Sequence, residues 1–183
     1  MFDLVVIALT AALGVAIKPI IVPLVHIVTG PLYIPGGAAA GGFYMLWIVL
    51  GLGITGKPGT GTLIGLVQGL LVIITGVYGT HGAVSIMTYT LPGMLVDAGA
   101  ILLGRGFISS AGFFILGLLA NVSGTLLSSM IFFRLPLIPL LLSLSAASLS
   151  GGLGGLIAYK LIKELSRTKI IDNIDRQGDR DEK

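Results

Sequence analysis

Hydrophobic residues in this chain come in long unbroken runs, not in the alternation of a half-buried strand or the narrow stripe of a soluble amphipathic helix. Glycine, proline and charged residues divide them into six runs, at 4–25, 37–54, 62–78, 83–103, 107–133 and 137–161. Runs of about 17–25 apolar residues are long enough to cross a hydrocarbon core as helices. The breaks between them hold the residues that favour turns, such as Gly56-Lys57-Pro58-Gly59 and Gly104-Arg105-Gly106. The pattern predicts an all-α integral membrane bundle of six transmembrane helices over 1–165, followed by a polar tail at 166–183.

Composition leaves little room for a water-soluble alternative. Of 183 residues, 55% are hydrophobic, and the mean hydropathy is +1.03. Lys and Arg total 11 and Asp and Glu 8, yet only Asp3, Lys18, Lys57, Asp97, Arg105 and Arg134 precede Lys160. A soluble surface cannot be built from so few charges. The basic residues Lys160, Lys163, Arg167 and Lys169 follow the last run. With six crossings, Lys57 and Arg105 fall on the same side as these four, while His81 and Arg134 fall on the other. Positive charge marks the inner face, so both termini are expected to be cytoplasmic in a multi-pass protein of a prokaryotic cell membrane. Met1-Phe2-Asp3 lacks the basic start of a secretory leader, and the first run is expected to remain as a span.

Several matches to known motifs fail on context. Gly51-Leu52-Gly53-Ile54-Thr55-Gly56 has the letters of a dinucleotide fingerprint, but its glycines close a membrane span and no strand precedes them. Pro58 stands where a phosphate-binding loop needs Ser or Thr. The chain has no cysteine, and His26 and His81 have no carboxylate nearby in sequence, so no cofactor or metal ligand set is expected. No catalytic constellation is visible, which points away from an enzyme. Any ATP hydrolysis is expected on partner subunits.

Polar residues inside the apolar runs carry the remaining information, because the bilayer penalises them. Ser85, Tyr89, Gly93 and Asp97 recur every four residues, as do Gly117, Asn121 and Thr125, with Ser128 next on that face. Tyr44 and Trp47 share a helix face in the second run. These stripes are expected to line one cavity open toward the outer leaflet, with Asp97 as its anionic centre and Tyr44, Trp47, His81, Tyr89 and Asn121 as further ligand contacts. Interhelical hydrogen bonding is the competing role for the Ser, Thr and Asn residues. Tyr33 and Tyr78 are expected at the external rim. Lys18 is open between snorkelling, carboxylate pairing and carbonyl capping. Pro19 and Pro23 kink the first helix, and the Gly/Pro-rich segment around Tyr33 is a candidate lid. Small residues at Gly65 and Gly69, and at Gly151 and Gly155, fit close helix packing.

Six short hydrophobic helices, the Ala8/Ala12/Ala16 stripe and the basic end together resemble the substrate-binding S component of energy-coupling factor transporters. Gly42-Phe43-Tyr44-Met45-Leu46-Trp47, Gly56-Lys57-Pro58-Gly59 and Leu91-Pro92-Gly93-Met94-Leu95-Val96-Asp97 are similar in order and spacing to the group handling thiamine or its hydroxymethylpyrimidine precursor. The resemblance implies a membrane-embedded capture subunit for a vitamin-like small molecule. Its partners would be a transmembrane coupling subunit, docked on Ala8, Ala12 and Ala16, and two ATPase subunits. Asp97 would then be the counter-ion of a cationic or amine-bearing ligand. The alternatives are a membrane scaffold subunit that binds no ligand and an S component for a metal ion.

Overall fold

The computed structural model describes residues 1–76 and 82–167, so Tyr78, His81 and nearly all of the 166–183 tail lie outside the described residues. Among the described residues all regular structure is helical. Six α-helices follow in order: α1 (Phe2–Thr29), α2 (Gly36–Thr55), α3 (Thr60–Thr75), α4 (Ser85–Leu103), α5 (Ser110–Ser128) and α6 (Leu137–Arg167). Short 3-10 segments cover Gly30–Leu32 and Gly104–Ile108, and a π segment covers Ser129–Phe133.

Five of these helices are long and apolar enough to cross a membrane. The exception is α3, whose 16 residues rise only about 24 Å, less than a hydrocarbon core. It stops because Gly76 turns left-handed, at φ +61, and its N–H closes the last turn on the Val72 carbonyl. In contrast, α1 continues beyond its expected end at Val25 to Thr29, in spite of Pro19 and Pro23. Each proline removes one donor, leaving the Val15 and Pro19 carbonyls without their usual partners while the flanking turns keep theirs. The expected long loop around Tyr33 is therefore a short one.

Successive helices reverse direction. One end of the bundle gathers the start of α1, the α2–α3 and α4–α5 turns and the end of α6. There Lys57 pairs with Asp3 at 2.5 Å, and Arg167 with Glu164 at 3.2 Å. The other end carries the turns at 30–35 and 134–136, where Arg134 is the single Lys or Arg. Helix α2 is central and touches each of the other five. Its second half supplies Ile48, Val49 and Leu52, all fully buried against Ile64, Val96, Phe113 and Leu116. Its first half, Gly36 to Gly42, brings almost no side-chain volume.

Large apolar side chains such as Leu102, Leu149 and Leu153 face outward. Cohesion in such a medium comes from backbone proximity more than from burying leucine. A Cβ on Gly65 of α3 would overlap the Tyr89 carbonyl of α4, and one on Gly93 would overlap the Gly61 carbonyl. Gly117 meets Gly151 between α5 and α6, and Gly154 meets Gly42 between α6 and α2. The glycine pairs read from spacing thus lie at helix contacts within the chain. Ala8, Ala12 and Ala16 are instead exposed on the outer face of α1.

Gly65→Val is expected to destabilise the protein by about 1–3 kcal/mol through overpacking, read as a lower melting midpoint in detergent. Gly106→Ala, which would meet nothing within 4 Å, serves as the neutral control.

Candidate functional site

A cavity of about 460 Å³ opens among α1, α2, α4 and α5, at the end of the bundle away from Lys57 and Arg105. That volume lies within the range of small-molecule sites, roughly 300–1,000 Å³. It exists because side-chain volume is missing there: Gly30, Gly36, Gly37, Ala38 and Gly124 all line it. Gly36 also lets the second half of α1 come close, since a Cβ at that position would meet the Val22 carbonyl at 2.6 Å.

Lys18 lines the cavity from α1 and is, among the described residues, the one Lys, Arg, Asp or Glu in its wall. Its ammonium donates to the Tyr89 hydroxyl at 2.5 Å and lies 4.4 Å from the Tyr89 ring centroid and 5.0 Å from that of Tyr44. Both rings are nearly buried, at 6% and 8% exposure. The Tyr44 hydroxyl is anchored in turn by donating to the Gly37 carbonyl at 2.6 Å. Placing an ammonium at membrane depth costs about 2.5–3.5 kcal/mol on insertion scales. Two ring faces, at about 0.5–2 kcal/mol each, offset much of that and fix the charge in position. No carboxylate lies within 4 Å of it among the described residues.

The opposite wall comes from the end of α5. Thr125, Ser128 and Ser129 line the cavity, and the Ser129 hydroxyl is buried with no hydrogen-bond partner. Ser129 opens the π segment, whose wider turn brings Phe133 to the same wall as Ser128, five residues earlier. His26, Tyr33 and Leu135 ring the mouth. Tyr33 is held left-handed at φ 58 and remains largely exposed, so the candidate lid amounts to a rim.

Of the expected ligand contacts Tyr44 and Tyr89 line this cavity, as do Thr125 and Ser128 of the α5 stripe and Tyr33 of the expected rim. Asp97 does not. Its carboxylate accepts from the Gly61 N–H at 3.0 Å, the Thr62 N–H at 2.7 Å and the Thr62 hydroxyl at 2.6 Å. It therefore caps the exposed amides at the start of α3, where the helix dipole favours negative charge. The Ser85–Asp97 stripe as a whole packs against the glycine face of α3, and only Tyr89 extends past it.

Asn121 lies deeper and is fully buried, donating to the Ala38 and Ala147 carbonyls at 2.9 Å each. One turn of α2 is thus tied to both α5 and α6, because Gly42 N–H donates to the Ser150 hydroxyl at 2.8 Å. Trp47 packs against the central core, away from the cavity. His81 lies outside the described residues. Lys18, Ser129 and His26 line the wall as well, without having been expected as ligand contacts. For Lys18 the available signal was that no carboxylate of the first run could pair with it.

No group of three His, Cys, Asp or Glu side chains comes together among the described residues. Comparisons with protein-family models, with curated proteins and with solved structures return no match.

Asp97→Asn replaces one acceptor oxygen by a donor facing backbone N–H groups. It is expected to cost about 1–3 kcal/mol of stability and to leave small-molecule retention within about threefold of wild type. Thermal melting and a retention assay on the same preparation check both halves. Lost retention with unchanged melting would place this carboxylate in the binding site after all.

Proposed function

We propose that this chain is the membrane-embedded capture subunit of an energy-coupling factor type uptake transporter for a small, water-soluble micronutrient. The observation that carries the reading is the cavity itself: about 460 Å³, within a bundle of membrane-spanning length, with one fixed ammonium among aromatic and hydroxyl groups. Packing alone does not call for such a space. A bundle that needed only cohesion would fill it, as it fills the other half of α2 with Ile48, Val49 and Leu52.

Polarity along the bundle supports an outward-facing mouth. Lys57, Arg105, Lys160, Lys163 and Arg167 lie at the end away from the cavity, and by the positive-inside rule that end is cytoplasmic. The cavity then opens to the outside of a cell membrane, as capture from the medium requires. The exposed Ala8, Ala12 and Ala16 fit a docking face for a transmembrane coupling subunit, since small residues admit close helix approach. Hydrolysis of ATP belongs to two partner ATPase subunits, and this chain performs no chemistry. The similarity to the thiamine or hydroxymethylpyrimidine group rests on the three short motifs, of which Tyr44 and Met45 line the cavity.

Gly37→Leu tests the cavity. A Cβ there would touch only the Tyr44 hydroxyl, at 3.4 Å, so the added side chain can enter the void without parting two helices. The variant is expected to fold and to lose retention of co-purifying small molecules by at least tenfold, measured by mass spectrometry of the denatured protein. Retention at the wild-type level would overturn the capture reading. Ala12→Leu, on the outer face, is expected to keep retention and to lose co-purification of a coupling subunit. Unchanged recovery of that subunit would refute the docking face.

A further inference from the structure

We propose that the molecule taken by this cavity is an organic monoanion, a carboxylate seated on the Lys18 ammonium with its apolar body against the aromatic and aliphatic wall. The inference rests on the capture reading above and names its ligand class. It reverses the cationic ligand expected from Asp97.

Charge accounting leads to it. The first 163 residues contain only two carboxylates, Asp3 and Asp97. Asp3 is paired with Lys57 at the far end of the bundle, and both oxygens of Asp97 are taken by the start of α3. Residues 77–81 hold no acid in their sequence, and Glu164 lies at the far end beside Arg167. Among the described residues there is thus no anion for Lys18. A lysine ammonium has three donors, and Tyr89 takes one. Ring faces and a neutral hydroxyl steady the cation without cancelling its charge, so the negative partner has to arrive with the ligand.

The rest of the wall agrees. Ser129, 3% exposed, has a hydroxyl with no partner and lies across the cavity with Ser128 and Thr125. Hydroxyls can donate to the second oxygen of a carboxylate whose first oxygen meets the ammonium. Val22, Ile34, Met45, Phe133 and Leu135 supply the apolar remainder. A single fixed positive charge matches one negative charge and leaves a dianionic phosphate under-neutralised. A quaternary ammonium would meet Lys18 as a like charge with no carboxylate beside it.

The test uses the full-length protein in lipid nanodiscs. It is incubated with an equimolar mixture of water-soluble vitamins and precursors that includes carboxylate, phosphorylated, neutral and quaternary-ammonium members. The retained compounds are identified by mass spectrometry after desalting. The expected result is selective retention of a carboxylate, lowered at least tenfold in Lys18→Met, kept within about fivefold in Lys18→Arg, and lowered several-fold in Ser129→Ala. Retention of a neutral, cationic or phosphorylated compound by the wild type would overturn the anion assignment while leaving capture standing, and needs no variant to be read. Equal retention by Lys18→Met and wild type would overturn it as well. If the wild type retains nothing from the mixture, the capture reading fails, and this inference with it.

Discussion

The architecture depends on how helices hold together where burying leucine gains nothing. In lipid, cohesion comes from backbones close enough for dispersion and for polar groups to meet. Gly65 and Gly93 join α3 to α4, Gly117 and Gly151 join α5 to α6, and Gly42 and Gly154 join α2 to α6. Polar side chains then fasten what the glycines bring near: Asn121 spans α2, α5 and α6, and Asp97 of α4 holds the first turn of α3. With the contacts concentrated in this way, one end of α2 can consist of glycine and alanine with little side-chain filling. The cavity is the result.

The two charges at membrane depth therefore have different roles. Asp97 is satisfied by three donors at a helix start, a local structural debt settled within the chain. Lys18 is steadied by Tyr44 and Tyr89 but has no counter-charge among the described residues. Both cost free energy to place in a bilayer, and only one of them reaches open space. That asymmetry, more than any motif, gives the cavity its chemical character.

Much of the fold was legible in the primary structure. Apolar runs and turn residues placed six helices in the right order, because in a membrane the length of an uninterrupted apolar segment decides where a helix lies. The misjudged ends have local causes: Gly76 stops α3 early, and α1 tolerates two prolines. Periodicity showed that Ser85, Tyr89, Gly93 and Asp97 share a face, but could not show that α3 covers most of it. A four-residue repeat of polar and small residues looks the same against a cavity and against a neighbouring helix. Lys18 was visible as an isolated cation, and its two tyrosines come from helices far away in sequence, so only the folded chain brings them together.

The most direct test of the central claim is a map of the protein purified from its native membrane into nanodiscs, at a resolution that separates side chains. The account predicts compact density for a small molecule in contact with the Lys18 ammonium and flanked by Tyr44, Tyr89 and Ser129. A lipid acyl chain threaded through the mouth, or a wall collapsed so that Lys18 points into the bilayer, would contradict it.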